Sequence, residues 1–410
     1  MACLGQLPPE LMLRIIQYTD NSSLRSLRTA CRSLSTFATP ELFKTVTLSV
    51  AERRSHACVE SILGHPVLRS CVRKLWVDIW EDPELVSSRR TYGPEVYPHW
   101  RLVDFIPKKF EDLMLRLKEF ANLRHVNLCF GDYCTDELLH ELNPDLLPEI
   151  FGFFLSSVLS LDHPPLELGF QNVQYIHNLD GSHMTMLKQL LGNLTSLRLN
   201  VRNTDVVSDI GDPDFDPEFD RFYILCSQIP FFWLKPASST LRHLALYSGD
   251  NFGFNPKLNF RGVHFPHLES LALGNFCFFC DSQLDWILSH RSTLRELYLD
   301  HCPILSQVTI REAFLSTIET RVTYGKRWHD YFRAFQEELP LLRHFMYGVS
   351  SDWYGKWMIP FEEEHTIKIG LYEDSYGTLL SGNWTSEHPD CRDEDDWALE
   401  ALLRKTGQQK

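Results

Sequence analysis

The chain has 410 residues, of which 44% are hydrophobic and 23% are charged, a balance typical of globular proteins. Its formal net charge of −14 disfavours contact with phosphate backbones, so we predict no nucleic-acid partner. The sequence has no secretory signal pattern and no apolar run long enough to span a membrane, so it predicts a cytoplasmic or nuclear protein without a membrane partner. Its eleven cysteines are irregularly spaced, which predicts reduced thiols.

The first predicted elements are two short helices. Pro8 stands at the start of the first helix, and Leu11, Ile15 and Ile16 have helical spacing. A polar turn then offers three candidate N-caps, Asp20, Asn21 and Ser22. The apolar residues of the second helix recur at intervals of three and four until Pro40 ends the pattern: Leu24, Leu27, Cys31, Leu34 and Ala38. A unit of about 35 residues rarely buries a sufficient core, so these helices must pack on the rest of the chain or on another protein.

From residue 43 onward a six-residue template, apolar-x-x-apolar-x-apolar, recurs along the chain. Its copies start at Phe43, Val72, Leu123, Leu194, Leu241, Leu268 and Leu294, with a weaker copy at Leu342 and a fragment at Leu166. Three consecutive starts, at 241, 268 and 294, have the period of leucine-rich repeats. The copy at Leu294 continues to Cys302, which we predict to point inward and hydrogen-bond the backbone of the turn.

Helical patterns lie between several of these strands, at residues 55–64, 110–120, 182–193 and 281–290. Alternating helices and short apolar strands predict an α/β fold with parallel strands and helical crossovers. With repeats, the expected architecture is an irregular leucine-rich-repeat solenoid behind a short all-helical module. The alternative is an irregular α/β protein in which leucine, a common residue, matches the template by chance.

The N-terminal stretch resembles an F-box, the helical module that docks substrate receptors onto SCF ubiquitin ligases. The positions that carry this resemblance are Leu7, Pro8, Glu10, Ile15, Ile16, Leu24, Leu27, Cys31 and Arg32. The exit of this stretch and the C-terminal region are similar to those of large fungal F-box families. We therefore predict three domains: an F-box at 4–48, degenerate leucine-rich repeats at 49–380, and an acidic segment with a capping helix at 381–410.

The resemblance implies that the chain is a substrate-recognition subunit that performs no covalent chemistry itself. It would bind a Skp-family adaptor and, through that adaptor, a cullin, while the repeats hold a protein substrate. The residues predicted to bind the adaptor are Leu7, Pro8, Leu11, Ile15, Leu24, Leu27 and Cys31. Alternatives are a non-ligase F-box protein, a repeat scaffold whose N-terminal helices only cap the solenoid, and an enzyme without a recognisable motif.

The residues that alternate with the inward leucines predict an open substrate surface on the repeat strands. Its candidates are Trp76, His125, Arg198, His243, Tyr247, Glu296, Tyr298 and Asp300. Alternatively, substrate binds the inserted loop at residues 212–220 or the C-terminal aromatic region. That loop resembles the start of a calcium loop, but Pro217 and Tyr223 occupy positions that require glycine and glutamate. With a single CxxC pair elsewhere, Cys277 and Cys280, the sequence predicts no metal and no cofactor.

A final helix is predicted from Asp393, with acidic residues at its start and basic residues at its end. Trp397, Leu399, Leu402 and Leu403 fall largely along one side of this helix. We therefore predict that these four residues cover the last repeat.

Overall fold

The structure is a computed structural model, and it describes residues 7–50, 52–79, 106–130, 146–176, 178–203, 221–311, 319–350, 361–362, 364–380 and 383–408. The described residues form two compact units. The first comprises residues 7–130 and 146–169, and the second comprises residues 170–408. The N-terminal helical module thus shares a compact unit with the first strands.

The chain opens with three helices rather than the two predicted: α1 (Pro9–Gln17), α2 (Asn21–Ala30) and α3 (Arg32–Leu42). Asp20 is the N-cap of α2, and its side chain accepts hydrogen bonds from the backbone N–H groups of Ser22 and Ser23. The second predicted helix is interrupted at Cys31, whose backbone is extended at φ −161° and ψ 164°. Pro40 lies inside α3 and does not end it, because the N–H of Phe43 still bonds the carbonyl of Thr39 at 3.1 Å.

The rest of the first unit alternates strands and helices. In chain order they are β1 (Thr45–Ser49), α4 (Arg53–Leu63), α5 (Pro66–Cys71), β2 (Lys74–Asp78), α6 (Lys108–Leu115), β3 (His125–Cys129) and α7 (Leu146–Leu159). The three strands are parallel and in register, with Thr47, Trp76 and Asn127 side by side. The strand β4 (Glu167–Val173) contains the last residues of the first unit and the first residues of the second.

The second unit begins in β4 and continues the alternation of strands and helices. Its further helices are α8 (Gly181–Leu191), α9 (Arg221–Gln228), α10 (Asp281–Leu288), α11 (Trp328–Glu338) and α12 (Arg392–Thr406). Its further strands are β5 (Ser196–Val201), β6 (His243–Phe252), β7 (Ser270–Phe276), β8 (Glu296–Asp300), β9 (Ile304–Arg311), β10 (Glu319–Thr323), β11 (His344–Ser350), β12 (Ile367–Ile369), β13 (Tyr376–Leu380) and β14 (Asn383–Ser386). These elements supply two sheets.

The larger sheet of this unit has parallel neighbours in the order β5, β6, β7, β8 and β11, and β12 pairs antiparallel to the end of β11. The smaller sheet has the order β10, β9, β13 and β14. In it only the β9–β13 pair is parallel.

The nine predicted strand positions are confirmed, and so are the four predicted crossover helices. The template leucines pack inward: Leu294, Leu297 and Leu299 are fully buried, as are their equivalents in the neighbouring strands. Cys302 points inward, as predicted, but its shorter hydrogen bond, at 3.2 Å, is to the carbonyl of Leu273 in the neighbouring strand β7. The carbonyl of Asp300, directly before the turn, is 3.5 Å from the thiol. The mixed α/β class with parallel strands is therefore confirmed, whereas the leucine-rich-repeat solenoid remains a prediction.

The C-terminal helix α12 packs on α11 and β11. It buries Ala398, Leu399, Leu402 and Leu403, but Trp397 is 65% exposed. The prediction that Trp397 covers the last repeat is wrong, because in the observed helix its side chain lies outside the narrow buried face.

The end of α12 and the two residues that follow it are fixed by polar contacts and by a helix cap. The Lys405 Nζ donates to the carbonyl of Leu339 at 3.0 Å, at the end of α11. Gly407 closes α12 in the left-handed conformation, at φ 75°, which favours glycine. The Gln408 side chain then bonds both the N–H and the carbonyl of Phe345 in β11, at 2.7 and 3.1 Å.

Candidate functional site

The three N-terminal helices enclose a small core. Met12, Ile16, Leu24, Leu34 and Ala38 are its buried members. The half-buried residues Leu7, Leu27, Phe37 and Leu42 pack against them. This core fixes how α1 is presented to solvent.

One side of α1 leaves apolar residues exposed. Pro8, Leu11, Ile15 and Tyr18, which we call the α1 stripe, follow one another at intervals of three, four and three residues, so they fall on one face of the helix. Leu11, Ile15 and Tyr18 are 51%, 41% and 84% exposed. Contiguous exposed apolar side chains mark protein-interaction surfaces.

The predicted adaptor-binding residues do not all lie on this surface. Pro8, Leu11 and Ile15 belong to the α1 stripe, and Cys31 is exposed at the break between α2 and α3. Leu24 is buried in the helical core, and Leu7 and Leu27 pack against that core. These three leucines therefore position the exposed face and are not available to the same extent for direct contact.

Sequence reasoning missed two exposed residues at this surface, one in α1 and one that caps its end. Tyr18 continues the α1 stripe one step beyond Ile15, and Leu13 is 48% exposed on another face of the same helix. The signal for Tyr18 was its spacing of seven residues from Leu11, which is two helical turns.

Local electrostatics hold the helical module in place. Hydrogen bonds from the side chain of Ser22 and from Ser23 hold the pKa of Asp20 well below its usual range. The carboxylate therefore stays charged at the N-terminus of α2, where it also complements the helix dipole. The guanidinium of Arg28 lies 4.8 Å from the ring centroid of Phe43, so this contact links α2 to the residue that follows α3.

The predicted substrate candidates of the second unit share one face of the larger sheet. The strand register places Ser196, His243, Ser270, Glu296 and His344 side by side in what we call the strand-start row. The next row holds Arg198, Ala245, Ala272, Tyr298 and Met346, and the third holds Asn200, Tyr247, Gly274, Asp300 and Gly348. Exposure falls from the first row to the third.

The prediction of an open surface is wrong for Tyr247 and Asp300, because both residues are buried. Tyr247 lies over Gly274, where an added Cβ would stand 2.1 Å from the tyrosine ring, so only glycine fits. Burial also raises the pKa of Tyr247. The Asp300 carboxylate accepts a hydrogen bond from the backbone N–H of Ser350 at 2.9 Å. These two residues therefore support the fold and do not belong to an accessible surface.

The other four candidates of this unit are accessible to different extents. His243 is exposed, and Glu296 and Tyr298 are half-buried. The Tyr298 ring lies 5.4 Å from that of His344. Arg198 donates to the carboxylate of Glu364, so it is already engaged by the chain itself. The strand-start row, with Tyr298 beside it, is the accessible part of the predicted surface.

The two candidates of the first unit, Trp76 and His125, lie on one face of its sheet and are half-buried. The Lys74 ammonium stands 5.1 Å from the Trp76 ring centroid. The His125 ring is 2.7 Å from the side-chain oxygen of Asn127 and 3.3 Å from the Glu167 carboxylate. Both candidates are thus held by neighbouring polar side chains.

A polar cluster that sequence reasoning missed joins the starts of α11 and α12. His329, Cys391 and Asp395 bring one potential metal-ligand atom each to within 4.8 Å of one another. Asp395 is fully buried and accepts from the backbone N–H of His329 at 2.7 Å and from the Tyr376 hydroxyl at 2.5 Å. The His329 Nδ1 is also 2.8 Å from Asp395. This network satisfies the buried carboxylate and ties the two helices together.

The remaining features that the sequence analysis singled out either lie outside the described residues or are buried. The acidic loop at 212–220 and the aromatic residues at 353–357 lie outside the described residues. The aromatic residues Trp328, Tyr331, Phe332 and Phe335 of α11 are buried, so they close the core. No helix within the described ranges is both long and apolar enough to cross a membrane.

Comparison with protein families concerns the N-terminal segment. Residues 4–49 match the sequence model of the family described as F-box-like. No curated protein matches the chain. The matched segment contains the three N-terminal helices, their core and the α1 stripe. Residues 4–49 are therefore an F-box-like domain. This domain supports the prediction that the chain is an F-box protein, and it indicates adaptor binding and protein–protein interaction.

Proposed function

We propose that this chain is the substrate-recognition subunit of an SCF-type cullin ubiquitin ligase. The F-box-like domain binds a Skp-family adaptor, the adaptor attaches to a cullin, and the remaining chain, a degenerate fungal-type leucine-rich-repeat array, holds a protein substrate. The observation that supports this proposal best is the α1 stripe within the F-box-like domain, since it offers an apolar surface to a partner.

The α1 stripe supplies the affinity for the adaptor. Fully burying a side chain such as Leu11 or Ile15 contributes about 1.5–3 kcal/mol, before the entropic cost of association is subtracted. Tyr18 adds an aromatic ring at low conformational cost, and tyrosine is enriched among dominant interface residues. The buried core beneath the stripe keeps these side chains in one arrangement, so little ordering is needed on binding.

The chain acts by placing molecules together and not by covalent chemistry. Holding a substrate beside a ubiquitin-charged enzyme raises the effective concentration of its lysines, which is a property of geometry. We propose the strand-start row and Tyr298 as the substrate surface of the second unit. The row mixes histidine, serine and glutamate, so it offers hydrogen-bond donors and acceptors to a polar protein surface.

An F-box protein that binds the adaptor without joining a ligase is the alternative function. The F-box-like match supports adaptor binding in both cases, so the cullin distinguishes them. The full chain carrying an affinity tag is purified, and adaptor and cullin are measured in the same eluate. Recovery of both supports the ligase subunit, recovery of adaptor alone supports the alternative, and recovery of neither contradicts both.

The direct test of the adaptor surface is the triple variant Leu11→Ala, Ile15→Ala and Tyr18→Ala. Since dominant interface residues contribute about 1–2 kcal/mol or more each, we expect affinity for the adaptor to fall by about 100-fold or more. Val67→Ala is the matched control, because Val67 is an exposed apolar residue of the same compact unit. Wild-type affinity in a triple variant with an unchanged circular dichroism spectrum would exclude the α1 stripe as the adaptor surface.

A further inference from the structure

The outer side of α12 carries the largest exposed apolar side chain near the C-terminus. Trp397 is 65% exposed, while Leu399, Leu402 and Leu403 of the same helix are buried. Within the described part of the chain, no aromatic ring or cation lies against its indole. Single exposed apolar residues are common on protein surfaces, so the surroundings of this indole, and not its exposure alone, indicate a partner.

Carboxylates surround this indole. Asp393 and Glu394 precede Trp397 by four and three residues, and Glu400 follows it by three, so all three are its neighbours on the helix surface. All three are exposed, and none forms an ion pair among the described residues. We call these four residues the Trp397 face.

Within the described part of the chain, none of the three basic residues of this helix forms an ion pair with these carboxylates. Arg392, the first of the three, is exposed and directly precedes Asp393. Lys405 is bound to backbone carbonyls of α11. Arg404 donates to the backbone carbonyl of Glu400 at 3.4 Å rather than to its carboxylate. The Trp397 face thus combines one large π surface with three negative charges.

We propose that the Trp397 face is a docking site for an arginine-containing basic peptide segment of a protein partner. A guanidinium stacks on an indole through cation–π attraction, and its N–H groups bond carboxylates in the plane of the fork. A neutral apolar partner would bury the carboxylates without cations, which costs free energy. An anionic membrane surface would be repelled. The basic peptide therefore complements both the indole ring and the carboxylates around it.

This docking site is separate from the proposed adaptor function. It lies on α12 in the second unit, and it uses no residue of the F-box-like domain. Failure of adaptor binding would leave the proposal standing, and failure of peptide binding would leave the adaptor function standing.

The test uses the full chain and a fluorescein-labelled peptide of alternating arginine and glycine, with binding followed by fluorescence anisotropy. A peptide in which citrulline replaces every arginine keeps the shape and removes the charge. We expect the arginine peptide to bind and the citrulline peptide to bind at least about 10-fold more weakly, with affinity falling as salt rises. Equal binding of the two peptides would overturn the proposal.

Variants locate the site. Trp397→Ala is expected to weaken binding about 3- to 30-fold, the range of cation–π contributions, and Trp397→Phe less. The triple variant Asp393→Asn, Glu394→Gln and Glu400→Gln is expected to weaken binding and reduce its salt dependence. The control triple Glu149→Gln, Asp162→Asn and Asp285→Asn changes the net charge equally at exposed sites elsewhere.

The comparison of the two triple variants decides between a site and general attraction to an acidic protein. We expect wild-type affinity from the control triple. Equal weakening by both triples, or wild-type affinity in Trp397→Ala, would show that the peptide binds only through the net charge of −14.

Discussion

The helices α1 and α12 differ in the side chains that surround their exposed apolar residues. Both bury one apolar face, through Met12 and Ile16 in α1 and through Leu399 and Leu402 in α12, and both leave apolar side chains exposed. The exposed residues of α1 form a stripe of aliphatic and aromatic side chains. In α12 a single indole stands among carboxylates. Under the two proposals above, the charges beside the exposed side chains distinguish the partner of the α1 stripe from that of the Trp397 face.

The largest expected effect comes from removing α12. Deleting residues from Asp393 onward removes four buried apolar side chains and the buried carboxylate of Asp395. Since each large buried side chain contributes about 2–5 kcal/mol, we expect the melting temperature of the chain to fall by more than about 10 °C. Scanning calorimetry measures the fall, and a pull-down measures adaptor binding, which is expected to persist. An unchanged melting temperature would show that α12 contributes little to the fold.

A smaller effect is expected inside the polar cluster of α12. In Asp395→Asn one side-chain oxygen becomes an N–H₂ group, which cannot accept from the Tyr376 hydroxyl, so a buried donor loses its partner. We expect a loss of about 1–3 kcal/mol in the free energy of unfolding, measured by urea denaturation.

The matched control for this change is Asp393→Asn, two residues earlier in the same helix. Asp393 is exposed and has no ion-pair partner among the described residues, so we expect a change within about 0.5 kcal/mol. A loss as large as that of Asp395→Asn would mean that the helix dipole, and not the buried network, determines both effects.

The smallest stability effects are expected at the exposed residues that distinguish the two helices. Leu11→Ala and Trp397→Ala each remove a side chain that packs little within the chain. We therefore expect the free energy of unfolding to change by less than about 0.5 kcal/mol in both variants. Chemical denaturation of the single variants checks this, and a loss of more than about 2 kcal/mol in either would indicate a packing role for that residue.

Much of the fold follows from periodicity in the sequence. The apolar template located nine strands because each copy must place its second and third apolar side chains on one face, as Leu297 and Leu299 do. The inward position of Cys302 was predicted correctly because the residue continues the apolar template, whereas its hydrogen bond to the carbonyl of Leu273 depends on the neighbouring strand β7, which the template does not specify.

The errors have equally specific causes. A break such as that at Cys31 leaves the apolar spacing of α2 and α3 almost continuous, so the pattern did not reveal it. Pro40 removes one backbone N–H donor, but it lies two residues before the end of α3, and the helix continues to Leu42. Alternation along a strand tells which face Tyr247 occupies but not what lies above it, and the sequence therefore predicted an accessible residue that is buried.

The side-chain amide of Gln408 has a consequence for self-association. A strand whose backbone groups point outward is a template for pairing with another chain. At Phe345 both groups are already bonded to Gln408, in the manner of one residue of an adjacent strand. Gln408 therefore covers the edge of β11 at Phe345, next to the part of that edge that β12 covers, so a strand from another chain could not pair with β11 there without displacing Gln408.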